Sequence, residues 1–336
     1  LNAGLIQEKF YLLVIHVPIF KLCTKSLKEL GFKVGDPINS SVETFCSEIG
    51  IEGPVAVEGG KTRWNMNGFP QKDTRFVKAP EGILSAKPDE MIVTALTGTT
   101  VAELHKEMGR FGQRTCLPER GGTIGGAIAV GENDISVLGK GRIRDSVLQL
   151  RYVSADGKII TSGAPVVKNV SGFNLHKLMV GSFGTLGLFA EVTIRTNPIP
   201  TTSRWFTAAS KNPQGVLENT YKPSAILWDG ETVWVHLEGH KPDVQKQLKK
   251  LLSLGNYEEV AGAPGLPRYR WSIAPADALR INRKDTGNFV ASIGVGNVWA
   301  DKPQSRKEID PAITQITNSL KREFDPNGRL NPGRYA

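Results

Sequence analysis

Cysteine is scarce in this chain. Cys23, Cys46 and Cys116 are the three present in 336 residues, and no two of them form a C-x-x-C pair. Such spacing supports neither a disulfide framework nor the ligand set of an iron–sulfur cluster, which places one-electron chemistry elsewhere. Long apolar runs are missing as well. The stretch FYLLVIHVPIFKLC, residues 10–23, is too short to span a bilayer, is interrupted by His16 and Pro18, and lacks an A-x-A cleavage site. It implies neither secretion nor a transmembrane segment, and the expected location is cytoplasmic, at the inner face of a membrane only through partners. Residues 1–36 read as a leader, an upstream extension or a cut end, and stand outside the fold expectation.

The two common nucleotide motifs are absent too. In PVAVEGGKTRWNMNG, residues 54–68, Gly60, Lys61 and Thr62 match the end of a Walker A loop, but its opening glycine would fall at Val55, so the first tight turn cannot form. A Rossmann fingerprint fails similarly: the G-x-G openings at Gly139–Gly141 and Gly294–Gly296 are followed by Arg144 and Trp299 where a third glycine belongs. The net charge of +9 comes from basic residues spread along the chain, which describes a generally cationic surface and no nucleic-acid partner.

What the chain does have is glycine. Its 36 glycines, with 40% apolar and 22% charged residues, describe a globular protein with many tight turns, and its length predicts two domains. SSVETFCSEIG reads as a helix with a serine cap, PVAVEGG as a strand entering a glycine turn, and EMIVTAL as a second strand. TTVAELHKEMGRFG reads as a helix opened by Thr99 or Thr100, with Glu103 near the capping-box position, and closed by Gly112. SVLQLRYVSADGKIITSG is a hairpin turning at Asp156-Gly157, and GLFAEVTIRT is an alternating strand. NPIPTTS, residues 197–203, concentrates proline and hydroxyl residues and marks a domain boundary. Beyond it, SAILWDGETVWVHLEG is a hairpin about Asp229-Gly230, PDVQKQLKKLLSLG a helix stopped by Gly255, and NFVASIGVGNVWA one further strand. Ser305–Phe324 forms a final helix before FDPNGRLNPGRYA. The expected fold is α+β in two parts, residues 37–199 and a smaller part, 200–336.

Three glycine-dense stretches fall in the first part: Gly59-Gly60, GGTIGGAIA at 121–129, and KNVSGFNLHKLMVGSFGTLG at 168–187. Close packing of helices on strands would explain any one of them, but three in one domain point to a ligand approaching bare backbone. In this order they resemble the PCMH-type FAD-binding domain of the vanillyl-alcohol oxidase superfamily, and FDPNGRLNPGR resembles the end of the FAD-linked oxidase C-terminal domain. The likeness spans about residues 40–336 and is strongest to the FAD-binding subunits of glycolate oxidases. It implies a two-subdomain FAD-binding domain followed by a smaller α+β domain. It also implies that Glu58, Gly59, Gly60, Lys61, Thr62 and Arg63 form the loop around the FAD diphosphate, an anion nest of backbone amides. Gly121, Gly122, Thr123, Gly125 and Gly126 would lie along the flavin, with Thr185, Gly187 and Leu188 at the adenine. Where the family usually carries a third glycine this chain has Lys61: either that position has negative φ, or lysine adds charge beside the phosphates. Relatives that bind FAD covalently through the first loop carry a histidine after the glycine pair; Lys61 and Thr62 here imply non-covalent FAD. Asn169 also heads an N-x-S glycosylation pattern, which the motif reading supersedes without a signal peptide.

Catalytic relatives carry H-x-G-D-G-N-L-H, whose histidines hold a metal that grips a 2-hydroxy acid; here SIGVGNVW stands in its place, with Ser292, Val295 and Trp299 at the ligand positions. These side chains cannot replace imidazole and carboxylate, so no metal site is expected. His236 and His240 are four apart but bracket a probable hairpin segment, and read as ordinary surface residues. Arg142, Arg144 and Asp145 resemble the family's G-x-v-R-D run and touch flavin, support its loop, or form a surface ion pair. No catalytic base is named by the sequence. The resemblance implies oxidation of glycolate to glyoxylate in a hetero-oligomer with a catalytic flavin subunit and an iron–sulfur subunit. Two alternatives stay open: a stand-alone FAD oxidase of another hydroxy acid or alcohol, and a structural subunit that has lost FAD.

Overall fold

A computed structural model describes residues 38–64, 66–166, 174–305 and 310–334 of the chain. The apolar stretch 10–23 and Asn169 lie outside the described residues. No helix among those described is long and apolar enough to cross a membrane.

The helix Ser40–Ile49 buries Val42, Phe45 and Ile49, the i, i+3, i+7 positions of one helical face. β1 (Val55–Glu58) then pairs in parallel with β2 (Arg75–Lys78), and the first glycine turn lies in the connection between them. β3 (Ile83–Lys87) and β4 (Ile92–Leu96) run antiparallel and lead to the helix Val101–Gly109. Thr100, rather than Thr99, caps this helix: its hydroxyl accepts the Glu103 amide at 3.1 Å. β5 (Gln113–Arg114) precedes the helix Ile124–Val130, and β6 (Val147–Val153), β7 (Ile159–Gly163) and β8 (Leu188–Arg195) follow, before β9 (Asn197–Pro198) returns to pair with β5.

Strands β3, β4, β8, β6 and β7 lie in that order in one antiparallel sheet. β8 sits in its centre and is buried along nearly its whole length, because both faces are covered. Leu104, Met108 and Ile128 of two helices pack on one face, and Val42, Phe45 and Ile49 on the other. Its one acidic residue, Glu191, is tolerated there by pairing with Arg151 at 3.0 Å.

The second sheet holds β10 (Thr202–Ala209), β11 (Ala225–Trp228), β12 (Thr232–Gly239), β13 (Glu258–Val260), β14 (Tyr269–Ser272), β15 (Phe289–Ser292) and β16 (Asn297–Ala300). Their order is β13-β10-β12-β11-β15-β16-β14, antiparallel at every pair. NFVASIGVGNVWA therefore makes two strands and not one. Gly294 and Gly296, at φ +77° and +88°, supply the left-handed turn that β-branched neighbours could not. The helices Pro213–Asn219 and Lys241–Leu252 cover one face of the sheet. Leu227, Val290 and Trp299 on the other face pack with Trp205, Trp234 and Ile135. The chain changes sheets between Pro198 and Thr202, although Ser41–Ala336 pack as one compact unit.

The last helix, Pro311–Phe324, begins at an Asp310 cap that accepts the Ala312 amide at 2.8 Å, with proline at its first position. It starts later than Ser305, and the tail beyond it returns to the first sheet region. Arg329 donates to the carbonyls of Ile49, Gly50, Glu52, Gly53 and Ala155, and Leu330 bridges Val55 in parallel, so β1 lies between β2 and the tail.

Candidate functional site

The turn after β1 and the turn before the helix Ile124–Val130 touch. A Cβ on Gly59 would meet Thr123 Oγ1 at 2.6 Å, one on Gly60 would meet Gly122 Cα at 3.1 Å, and one on Gly122 would meet Thr62 Oγ1 at 2.2 Å. Loop-on-loop packing alone therefore requires these three glycines. Gly125 performs the same service one residue into the helix, where a Cβ would press on Thr97 at 3.0 Å. Thr123 caps the helix by accepting the Gly126 amide at 3.2 Å.

Around this seam lies a groove open to solvent. Gly59, Gly60, Lys61, Thr62 and Arg63 line it from the first turn, Thr123, Gly125 and Gly126 from the second, and Leu188 from the start of β8. The remaining residues singled out in the sequence stand behind the wall. Glu58 holds Lys61 at 2.9 Å, the Gly121 carbonyl accepts from Arg63 at 2.9 Å, and Gly122 packs under Thr62. Thr185 donates to the Ser182 carbonyl at 2.7 Å, and Gly187 leaves room for the Tyr152 ring, which a Cβ would meet at 2.4 Å. Trp64, Phe183, Asn331 and Arg334 also line the groove and were not singled out. Arg142, Arg144 and Asp145 are exposed and do not line it.

Among the described residues, no carbonyl or side chain accepts from the backbone amides of Gly60, Lys61, Thr62 or Arg63. Polar groups left in a concave turn without internal partners seek an external acceptor. Lys61 has φ +52°, which removes the first of the two alternatives for that position, a negative φ. A left-handed lysine is strained by about 1–2 kcal/mol, and the turn holds it there through Glu58 and through Trp64, whose ring centroid is 5.4 Å from Nζ. Arg63 is pinned more firmly: its Nε donates to Glu132 at 2.6 Å, and Glu132 also accepts from Arg120 at 2.6 Å.

The face of the second sheet opposite its helices carries a polar row as well as its tryptophans. His236 stacks on Trp205 at 4.3 Å and hydrogen-bonds Ser136 at 2.9 Å and Ser203 at 2.8 Å. It is 5% exposed, which corrects its reading as a surface histidine. Burial pushes its pKa down to about 4, against the opposing pull of Glu238. For Glu238 burial works upward, but hydrogen bonds from Arg114 at 2.7 and 2.9 Å prevail and bring the carboxyl down to about 2. These contacts tie β12 to residues 114 and 136 of the first half. Arg270 on β14 pairs across with Trp299, and burial lowers its pKa, with Glu132 opposing and Arg120 and Arg63 adding to the effect. Ser292 and Trp299 are buried, and neither Ser292 Oγ nor Trp299 Nε1 has a hydrogen-bond partner among the described residues. No group of three or more His, Cys, Asp or Glu among them could hold a metal ion.

Comparison with known proteins follows this geometry. Residues 45–163 match the family model of the FAD binding domain. Glycolate oxidase subunit GlcE of Escherichia coli (strain K12) is 30% identical over 331 aligned residues, which cover 84% of this chain and 93% of that protein. A D-lactate dehydrogenase of Archaeoglobus fulgidus is 32% identical over 177 residues, covering 50% of this chain but only 39% of the relative. The solved structure of an alkyldihydroxyacetonephosphate synthase superposes with a TM-score of 0.63 at 16% identity, covering 87% of this chain and 73% of that one, and shares the α+β, PCMH-type fold. Because the match to GlcE runs through almost the whole of that protein, the chain belongs to the GlcE family of FAD-binding oxidoreductase subunits.

Proposed function

We propose that this chain is the FAD-binding subunit of a complex that oxidises glycolate to glyoxylate, working with a catalytic flavin subunit and an iron–sulfur subunit in the cytoplasm, at the inner face of the membrane through those partners. Residues 37–199 are read as the FAD-binding domain and 200–336 as the smaller α+β domain, a division supported by the change of sheet between Pro198 and Thr202.

The observation that carries the cofactor reading is the first glycine turn, where the amides of Gly60, Lys61, Thr62 and Arg63 lack acceptors among the described residues beside the groove. A diphosphate supplies the acceptors those amides need. Thr123, Gly125 and Gly126 offer a second wall with little side chain, against which a flat ring can lie. Leu188 and Phe189 add apolar lining. No histidine or cysteine lines the groove among the described residues, which supports FAD held without a covalent bond. Bound FAD accepts two electrons from an alcohol carbon and can release them singly. The chain's residues bind and orient: Glu132 fixes Arg63, and the contacts of Ser136 and Arg114 with β12 hold the second sheet in place.

The full-length chain, purified gently, is expected to absorb at about 450 nm with FAD bound, and to turn over glycolate negligibly until its partners are added. Rapid turnover by the isolated chain overturns the subunit reading, and a colourless protein that takes up no added FAD overturns the cofactor reading.

One observation favours a second reading, a self-sufficient oxidase of another hydroxy acid. Arg63 and Arg120 both bond the one carboxylate of Glu132, and Arg270 is near enough to feel the charges of all three, a net positive cluster that suits a carboxylate substrate. Anaerobic reduction of the bound flavin by one member of a hydroxy-acid panel would select it.

A further inference from the structure

Three cationic side chains line the groove, and two of them are neutralised in place. Lys61 pairs with Glu58 at 2.9 Å and Arg63 with Glu132 at 2.6 Å. The third, Arg334, has no carboxylate partner among the described residues. Its Nη1 donates to the carbonyls of Met66 at 2.8 Å and Gly68 at 3.2 Å, and its guanidinium carbon lies 4.9 Å from the Trp64 ring centroid. Carbonyls and an aromatic face orient a guanidinium without cancelling its charge, and its other donors stay available.

The tail is built to keep that side chain there. Asn331 donates to the carbonyl of the groove-lining Phe183 at 2.8 Å, and the Pro332 carbonyl accepts from the Gln71 amide at 3.0 Å. A Cβ on Gly333 would meet the Phe69 carbonyl oxygen at 2.2 Å, so only glycine lets residues 68 and 334 come close enough to bridge. A backbone fitted this tightly around one uncompensated cation fits an anionic ligand better than a surface arginine.

We propose that Arg334 is a diphosphate-binding residue, and that the C-terminal tail is thereby one wall of the cofactor groove. The inference rests on the FAD reading above. A guanidinium matches the paired oxygens of a phosphate with two parallel N–H donors, which an ammonium cannot do. The Trp64 ring holds the guanidinium plane ready for that contact, and FAD in turn ties a tail 270 residues downstream to the first turn.

The test is titration of FAD into the full-length protein, its Arg334→Gln and its Arg334→Lys variants, at low and high salt, with the melting temperature of each apo protein measured alongside. Arg334→Gln is expected to weaken FAD binding about ten- to a hundredfold at low salt, the worth of a charge-assisted contact to phosphate. Arg334→Lys should recover part of the loss, and the gap should narrow at high salt as screening weakens the charge–charge share. Wild-type affinity in Arg334→Gln, or equal losses in both variants with no salt dependence, overturns the inference while leaving the cofactor reading intact. A wild-type protein that takes up no FAD overturns both.

Discussion

Arg63 from the first glycine turn and Glu132, just beyond the helix opened by the second, meet at 2.6 Å with side chains 6% and 3% exposed. Arg120 reaches the other carboxylate oxygen, so one buried acid anchors two guanidinium groups beside the groove. Removing that acid leaves Arg63 buried and unpaired, the expensive way to break such a pair. Glu132→Gln is expected to lower unfolding stability by about 3–5 kcal/mol, read as the shift in denaturant midpoint at constant m-value. A shift under about 1 kcal/mol would place the pair with weak surface contacts instead.

Lys61 sets backbone strain against charge. Glycine at this position relieves the left-handed conformation, so Lys61→Gly should leave the apo protein as stable as wild type or more stable by up to about 1 kcal/mol. FAD affinity should move the opposite way, because losing the ammonium leaves Glu58 unpaired beside the diphosphate. Calorimetric melting of the apo protein and FAD titration separate the two effects, and tighter binding in Lys61→Gly would remove the charge role.

The seam between the glycine turns can be broken by a single methyl group. In Gly122→Ala the new Cβ would overlap Thr62 Oγ1 at 2.2 Å and would sit at φ +83°. A loss of roughly 2 kcal/mol or more is expected, together with weaker FAD uptake. Adding Thr62→Ala removes the overlap with the hydroxyl but neither the 2.8 Å approach to Arg63 Nη1 nor the unfavourable φ, so the double variant should recover only part of the loss. Full recovery would mean that the backbone relaxes there at no cost.

Acid should loosen the contact between β12 and the first half of the chain. His236 is held neutral down to about 4 against an ordinary value of 6.5, so as pH falls through that window the unfolded chain takes up a proton that the folded one refuses, and stability drops. Glu238, ordinarily near 4.5 and here about 2, adds a further loss as pH falls between those values and its pairing with Arg114 is given up. Stability is thus expected to be level above about pH 6.5 and to decline below it. Measured as melting temperature against pH, His236→Asn should lessen the upper part of that decline without abolishing it, since burial also lowers the pKa of His176 to about 4 and lowers that of His105.

Where elements depend on neighbours in the chain, they were legible. The glycine turn after β1, the Thr100 cap and the hairpins at Asp156-Gly157 and Asp229-Gly230 follow from residues within a few positions of each other. IGVG was misread as strand interior because its flanks are apolar and β-branched, and only the positive φ of its glycines shows the turn. His236 passed for a surface residue because its partners Ser136, Ser203 and Trp205 stand on other elements. Several glycines read as ligand contacts also hold the two turns against each other, since absence of a side chain has the same cause whether backbone or ligand fills the space.

By itself the sequence determined the strand-turn-helix segments and the family resemblance. Only the tertiary structure decided that Lys61 takes a left-handed conformation, that Glu132 anchors Arg63 and Arg120, and that Asn331 and Arg334 line a groove begun by Gly59. The reason is physical. Caps and turns form between near neighbours, whereas a buried ion pair or a groove wall joins residues whose separation along the chain leaves no local pattern, and packing alone brings them together.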